Sequence, residues 1–496
     1  MNIFKDRFSE IKKASEPLYK SPKSVQETIE ILKISESGIF EVADGKYSKT
    51  YRFSDVNYAT RSEDEQESFF QRYCRCLNSF DCTFKITVNN KNKDMDVLRN
   101  EVMLKYRNDG FDKMRESYNR IIEEKILEGR QGIEQERYLT ITIERKNFEE
   151  AKAQFATIEA SMLRSFAELG SKLTPLTGNE RLKILHDYYR LGREDEFNFD
   201  ISQGRITGTD FRNEICNTRI KYHPDYFEDE GKVGRVLFIK KYPTYLSDRF
   251  FTELTFLPVH SVTSVDVVPV PKDLTMKMLQ KKYLGIESDI IKQQRTRNRN
   301  NDFSSDISYA TRQKKKDIEE IMNNVRENDE SLYYVSVTMI VMADDRDELE
   351  SICETVDAIA KGAGCAVDTC MYKQREAVNT TLPIGVRQIE TMRTMLTQSL
   401  AVLMPFNVQE LCDRNGIYYG VNQISKNIIV GNRKKLLNGN GFIFGVSGAG
   451  KSFQAKMEMG SVLLSTDDNV IAVDPMNGAK RSYLKRVGAI FIKLYA

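Results

Sequence analysis

Apolar and polar residues follow helical and strand-like periods in turn along the chain, which predicts a mixed α/β protein. Residues 63–78 and 148–169 place apolar side chains at helical spacing. Short blocks that alternate with polar residues or are rich in β-branched residues predict strands at 38–42, 49–53, 84–88 and 138–143. We therefore expect an N-terminal α+β domain over residues 1–200.

The same kinds of pattern continue in a second α+β unit, which we place at residues 201–394. Its predicted strands are residues 235–243, 265–271, 333–342 and 366–372, and a helix is predicted at 345–362. Pro269 and Pro271 confine the second of these strands to a sheet edge or to a strand end. Residues 272–330 are strongly polar and have helical spacing, which predicts a helical arm.

A glycine-rich loop near residue 450 carries the clearest chemical signal. The apolar residues 442–444 are predicted to form a strand, the pattern Gly-x-x-x-x-Gly-Lys-Ser follows at 445–452, and residues 453–464 favour a helix. This order of strand, loop and helix is that of a P-loop nucleotide site. A glycine-rich turn that merely enters a helix is the competing interpretation.

The P-loop pattern assigns a role to each of these residues. The glycines allow backbone N–H groups to turn inward around phosphate oxygens, and the helix adds the positive end of its dipole. Lys451 is predicted to reach the β- and γ-phosphates as a catalytic residue, and the Ser452 hydroxyl to ligate Mg²⁺. The residues predicted to contact ATP are Gly445, Val446, Ser447, Gly448, Ala449, Gly450, Lys451, Ser452 and Phe453.

Asp474 is the second catalytic candidate. The continuous apolar run at residues 470–473 predicts a buried parallel strand, which would end at Asp474 on the sheet edge that carries the phosphate loop. A carboxylate there would approach Mg²⁺ or the attacking water. An ordinary turn-forming aspartate before Pro475 explains the residue equally well.

Residues 395–496 are interpreted as the first part of a P-loop ATPase domain with a RecA-like parallel sheet. Residues 416–422 and 427–431 are predicted as hairpin strands, and a tight turn at 438–441 precedes the loop. Only 44 residues follow Ser452, whereas an independent domain typically needs about 100. We therefore expect this chain to lack the C-terminal catalytic half of the domain.

Composition narrows the functional classes only slightly. The chain has 74 Lys and Arg against 72 Asp and Glu, so net charge favours neither nucleic acid nor an acidic partner. Its eight cysteines and three histidines are scattered, which argues against a structural zinc site and favours reduced thiols in a cytosolic protein. We find no secretory signal and no apolar run long enough to span a membrane.

A local basic cluster in the polar arm is the one candidate for nucleic-acid contact. Acidic residues interrupt the positive run and few aromatic side chains interleave with it, so a solvated helical arm is the favoured interpretation. The cluster comprises Lys292, Arg295, Arg297, Arg299, Arg312, Lys314, Lys315 and Lys316.

Several short motifs from residue 404 onward resemble a known family. Together they are similar to the large cytoplasmic ATPases of type IV secretion and conjugative transfer systems, in the version found on conjugative elements of Gram-positive bacteria. A weaker likeness extends through residues 137–139 and 176–185. The motifs are Met404-Pro-Phe, Gly416-Ile-Tyr-Tyr-Gly-Val-Asn, Asn432-Arg-Lys, Asn438-Gly-Asn-Gly-Phe-Ile-Phe-Gly and Gly450-Lys-Ser-Phe.

The resemblance implies an ATP- and Mg²⁺-dependent motor that energises channel assembly or DNA and protein transfer. Its members are oligomers docked on the cytoplasmic face of the inner membrane, where channel and coupling proteins are their partners. This chain departs from the family after the P-loop helix, since it reads Asp474-Pro-Met-Asn-Gly where the family has Asp-Pro-x-x-Glu-Tyr. The departure puts a role for that turn in doubt.

Two other functions stay open from the sequence. A non-hydrolysing interaction module that docks onto channel components would keep phosphate binding while lacking the groups that activate water. A DNA-pumping coupling ATPase is the weaker alternative, because such proteins usually carry N-terminal membrane helices.

Overall fold

The computed structural model of the protein describes residues 22, 24–92, 99, 102–128, 133–299, 309–327, 329–411, 413, 416–423, 427–473 and 490–492. These residues form a mixed α/β structure that is dominated by one large antiparallel sheet. None of their helices is both long and apolar enough to cross a membrane. The seven cysteines among them are free.

Seventeen strands and thirteen α-helices occur in the described residues. The strands are β1 (Lys33–Ile34), β2 (Ile39–Ala43), β3 (Lys46–Phe53), β4 (Thr83–Asn92), β5 (Ile133–Glu144), β6 (Leu173–Pro175), β7 (Ile220–Tyr222), β8 (Phe227–Asp229), β9 (Lys232–Lys241), β10 (Ser261–Val270), β11 (Leu332–Ala343), β12 (Ala366–Thr369), β13 (Arg393–Leu396), β14 (Ile417–Val421), β15 (Ile428–Gly431), β16 (Ile471–Val473) and β17 (Ile490–Ile492). The helices are α1 (Glu63–Asn78), α2 (Asp112–Glu128), α3 (Phe148–Leu169), α4 (Gly178–Tyr189), α5 (Ile201–Thr207), α6 (Arg212–Ile215), α7 (Arg249–Thr255), α8 (Lys272–Arg299), α9 (Tyr309–Glu327), α10 (Arg346–Gly362), α11 (Gln374–Thr381), α12 (Thr397–Ala401) and α13 (Lys451–Ser465).

The large sheet is built from two similar halves. Its strand order is β1-β2-β3-β5-β4-β10-β11-β9-β8-β7. Counted inward from its outer edge, each half has the same order of strands along the chain, and β6 on β3 matches β12 on β9. The halves join where β4 pairs antiparallel with β10, from Asn90 opposite Ser261 to Phe84 opposite Val267. The two predicted α+β units thus contribute to one continuous layer, and the division near residue 200 stays a prediction.

Local signals explain the helices that the sequence predicts best. Helix α1 begins with a capping box. The Ser62 side chain accepts from the Glu65 backbone N–H, and the Glu65 side chain accepts from the Ser62 backbone N–H. Helix α3 begins where the Asn147 side chain accepts from the Glu150 N–H, and it ends at Gly170 with φ of 79°. Both helices have the predicted bounds.

The proline-containing strand lies inside the sheet rather than at its edge. Strand β10 pairs with β11 along its whole length, but its pairing with β4 stops at Val267. Pro269 therefore has a neighbouring strand on one side only, opposite Tyr333. The prediction that the prolines mark a strand end is confirmed, because the missing N–H falls where no second partner strand lies.

One face of the sheet is apolar and carries the main core. Side chains from β3, β4, β5, β10 and β11 pack there against helices α1, α3, α7 and α10. The predicted stripe of helix α3 lies in this core, with Ala151, Phe155, Met162 and Phe166 buried and Ile158 partly buried against it. This face explains why the central strands of both halves are rich in apolar residues.

The opposite face carries a row of buried polar side chains that crosses five strands. Directly paired residues share a face of a sheet, and the register aligns Thr50, Thr140, Lys85, Asp266 and Ser336 from β3 to β11. All five side chains belong to buried residues. Burying such a row is costly unless every polar group finds a partner.

The end of helix α11 and the segment that follows it supply partners for this row. The Lys85 ammonium donates to the carbonyls of Thr380, Leu382 and Val386, and burial lowers its pKa to about 8. Arg387 makes a two-pronged ion pair with Asp266, at 2.6 and 2.9 Å. The second half of the chain thereby covers the polar face of the first half.

The polar arm is an antiparallel pair of helices, α8 and α9, as the spacing predicts. Lys315 pairs with Glu287 across the two helices at 3.0 Å and lies 5.1 Å from the centre of the Tyr283 ring. Lys314 and Lys316 are exposed. For Arg297 and Arg299 only the backbone is described, and nucleic-acid contact stays a prediction.

Acidification is expected to destabilise the sheet through His260. Burial lowers the pKa of this imidazole to about 4, and both ring nitrogens lack a hydrogen-bond partner among the described residues. Between pH 6.5 and 4 the unfolded chain binds the proton and the folded chain does not, so stability falls as pH falls. We expect His260 to contribute a loss of about 2 kcal/mol between pH 7.5 and pH 5. Burial raises the pKa of Asp229 to about 7, so this carboxyl contributes a gain of stability over the same range.

Urea unfolding at several pH values measures this loss. His260→Gln removes the titrating group, so the loss assigned to His260 is the difference between the pH dependences of the unchanged protein and this variant. His223→Gln, at the partly exposed histidine beside Glu228, is the matched control and should keep the slope of the unchanged protein. An identical slope in the His260 variant would contradict the assignment.

Candidate functional site

The glycine-rich loop at 445–452 enters helix α13 as a tight turn with a left-handed backbone. Gly448 and Gly450 have φ of 85° and 87°, values that side chains strongly disfavour. A methyl group on Gly445 would lie 3.2 Å from the Ala449 Cβ, so the loop folds closely on itself. The two φ values explain why glycines stand at two of these positions.

Lys451 begins helix α13 and turns back over the loop. Its Nζ donates to the carbonyls of Gly445 and Val446, each at 2.7 Å. The backbone carbonyls of the loop therefore hold the ammonium of Lys451, the lysine that the pattern assigns to phosphate. The loop residues 445–450 and Ser452 are exposed, so a solute reaches the loop without any rearrangement of the fold.

The strand predicted before the loop is wrong. Residues 442–444 have no strand neighbour in the described part of the chain, and they adopt no regular secondary structure. Phe442 and Phe444 are 83% and 87% exposed and stack on one another with ring centres 5.8 Å apart. An apolar run forms a strand only where another strand lies beside it to pair with its backbone.

The elements around the loop agree better with the sequence. Strands β14 and β15 form the predicted antiparallel hairpin. Helix α13 spans the predicted segment, and β16 pairs in parallel with β17. The prediction that this parallel strand is buried is wrong for Ile471, which is 61% exposed.

The remaining predicted site residues are only partly described. Asp474 lies outside the described residues, so its role stays a prediction. Ser452 and Phe453 are both exposed at the start of helix α13. Within the described ranges, no group of three or more His, Cys, Asp or Glu side chains is arranged to hold a metal ion. Among the described residues of the loop, the Ser452 hydroxyl is the group that the P-loop pattern assigns to Mg²⁺.

Three side chains that the sequence reasoning missed surround the approach to the loop. Arg433 donates from Nε to the Tyr419 hydroxyl at 2.9 Å and pairs with Glu458 at 2.8 Å. The Tyr419 hydroxyl donates in turn to Glu458 at 3.1 Å. Burial raises the pKa of Tyr419, so this hydroxyl keeps its proton. The only sequence signal was the position of Tyr419 and Arg433 within the quoted motifs.

Helix α2 forms a junction with the end of the P-loop helix. Arg115 donates from Nε to the Leu464 carbonyl at 3.1 Å, and Asp109 and Asp112 hold its other nitrogens at 2.6–2.7 Å. Arg107 donates to the Ser465 carbonyl at 2.7 Å. These arginines satisfy carbonyls at the negative end of the helix, where no intrahelical donor remains.

An apolar cluster strengthens the same junction. Tyr118, Ile122 and Ile126 of helix α2 pack with Val430 of β15 and Leu464 of helix α13. The sequence reasoning assigned helix α2 to the N-terminal unit and predicted no contact with the P-loop region. Its partners lie more than 300 residues further along the chain, which local periodicity does not report.

The segment that leads to the P-loop region is anchored in the core of the sheet. Phe406 packs edge-on against Phe53, Phe69 and Tyr73. The Arg137 Nε donates to the Pro405 carbonyl at 2.7 Å, next to this ring. The P-loop region is therefore attached to the sheet through this segment, and it also contacts helix α2.

No protein-family model matches the chain, and no curated protein matches it at a significant level. The family suggested by the motifs accordingly stays a prediction.

Proposed function

We propose that the chain binds ATP with Mg²⁺ at residues 445–452. The observation that carries this proposal is the loop itself, in which two left-handed glycines precede a lysine at the first turn of a helix. The lysine ammonium lies over the loop backbone, and the helix directs the positive end of its dipole to the same place. A triphosphate would compete for this ammonium and draw it away from the two carbonyls.

The motifs extend the proposal to a motor subunit of a type IV secretion or conjugation apparatus. In this proposal the P-loop region belongs to a RecA-like ATPase domain, a view supported by the parallel pairing of β16 with β17. The protein would act as an oligomer at the cytoplasmic face of the membrane, with channel and coupling proteins as partners. The large sheet and its attachment to helix α13 would transmit the nucleotide-driven motion.

Lys451→Ala is expected to weaken binding of ATP–Mg²⁺ by about 10- to 100-fold, since hydrogen bonds to a charged group contribute about 1.5–3 kcal/mol. Isothermal titration of the purified chain measures the affinity. Lys456→Ala makes the same change one turn further along helix α13 and is expected to leave the affinity unchanged. Equal affinities for Lys451→Ala and the unchanged chain would refute the proposed site.

Steady-state ATP turnover separates the motor from the non-hydrolysing module. The sequence Asp474-Pro-Met-Asn-Gly, which departs from the family pattern, is the observation that favours the module. ATP binding without measurable turnover would support the module for this chain. Turnover that is lost in Lys451→Ala would support the motor.

A further inference from the structure

Arg433 connects three segments that meet beside the phosphate loop. Its guanidinium contacts Tyr419 on the β14–β15 hairpin and Glu458 on helix α13, as described above. It also lies flat against Gly441, where an added methyl group would come within 2.7 Å of Nη1 and 2.9 Å of Cζ. Gly441 therefore leaves the space that the guanidinium occupies.

The contacts of Arg433 fall on both sides of the loop. Gly441 lies four residues before Gly445, on the chain that approaches the loop. Glu458 lies about two turns beyond Lys451, on the helix that leaves it. The side chains of Arg433 and Glu458 are 38% and 17% exposed, so water screens their ion pair only in part. One side chain thus ties the approaching segment to the departing helix.

We infer that Arg433 is a positioning residue for the nucleotide, which fixes the separation between the approach segment and helix α13. The inference rests on the proposed nucleotide site. Backbone N–H groups hold phosphate well only when the loop is already in its binding shape, because ordering it on binding consumes affinity. Arg433 acts through Gly441 and Glu458, and no contact between Arg433 and the nucleotide is required.

The alternative is a purely structural role, in which Arg433 stabilises the hairpin and has no effect on the loop. The two roles differ in what they change. A structural role lowers the free energy of unfolding and leaves the affinity of the folded protein unchanged. A positioning role lowers the affinity of molecules that are fully folded.

Arg433→Gln and Glu458→Gln test the inference by isothermal titration with ATP–Mg²⁺, with urea unfolding measured in parallel. Each variant is expected to bind ATP about 10-fold more weakly, because each loses a hydrogen-bonded charge pair. Arg433→Lys, which keeps the charge but not the flat contact with Gly441, is expected to retain part of the affinity. Lys434→Gln, at the neighbouring exposed lysine, is the matched control and should bind as the unchanged chain does.

Three outcomes decide the matter. Weaker binding by the two glutamine variants, with partial recovery in Arg433→Lys, supports the inference. Affinities equal to that of the unchanged chain, with or without a loss of stability, overturn it. If the unchanged chain shows no binding that depends on Lys451, the proposed nucleotide site fails first, and Lys451→Ala reveals this before any Arg433 variant is measured.

Discussion

Replacing Arg181 with methionine is expected to lower the free energy of unfolding by about 2–4 kcal/mol. The guanidinium is buried and lies 3.8 Å above the centre of the Phe40 ring. It donates to the carbonyls of Gly38 and Ser48 at 2.9 Å, and to those of Pro383 and Ile384 at 3.3 and 3.4 Å. Burial lowers its pKa to about 9, which still leaves it charged at pH 7.

The loss is large because methionine fills the space but donates no hydrogen bond. The buried carbonyls of Gly38 and Ser48 would lose this donor, and each carbonyl left unsatisfied costs about 1–3 kcal/mol. Those of Pro383 and Ile384 would lose one donor but keep the hydroxyls of Thr50 and Ser48. The carbonyls of Gly38 and Ser48 belong to the first half of the sheet, whereas Pro383 and Ile384 follow helix α11 in the second half of the chain. The variant therefore weakens the contact through which the second half covers the first.

Urea unfolding followed by circular dichroism measures the effect. Arg164→Met, at an exposed arginine on helix α3, makes the same substitution where nothing is buried and should change stability by less than about 0.5 kcal/mol. A similarly small change for Arg181→Met would show that the carbonyls find other partners, and it would contradict the role assigned to this side chain.

Arg181 and Lys85 also show where sequence reasoning stops. Helices α1 and α3 were predicted to their bounds because caps and periodicity act within a few residues. The acceptors of Lys85 lie about 300 residues further on in the chain, and nothing local marks Lys85 as buried. Because lysine and arginine are usually exposed, their residue type alone predicts that Lys85 and Arg181 lie at the surface, which is wrong.

The phosphate loop shows the same limit, because its local backbone angles were predicted and its neighbours in space were not. The glycine spacing predicted backbone angles that side chains disfavour, and Gly448 and Gly450 have them, because left-handed turns are local properties. The helix after the loop was predicted for the same reason. The strand at 442–444 was wrong, because a strand depends on a neighbour that the sequence does not name. Arg433 and Arg115 were missed as well, since each acquires its role from segments that the fold brings together.

Replacing Arg115 with methionine is expected to loosen the junction between helix α2 and the P-loop helix, at a cost of about 3 kcal/mol. The Arg115 side chain is 1% exposed, so no water takes its place on the Leu464 carbonyl. Asp109 and Asp112 would lose their partner at the same time. Hydrogen bonding with Arg115 lowers the pKa of Asp109, and this stabilisation of the carboxylate would disappear.

Hydrogen exchange distinguishes local loosening from general unfolding. We expect faster exchange in helices α2 and α13, while β3, β4 and β5 keep their protection, because the core of the sheet does not include Arg115. Arg120→Met, at an exposed arginine on the same helix, should leave both regions unchanged. Uniformly faster exchange would mean that the junction supports the whole fold. Unchanged exchange in helix α13 would mean that Phe406 and its neighbours hold the P-loop region on their own, and that helix α2 transmits nothing from the nucleotide to the sheet.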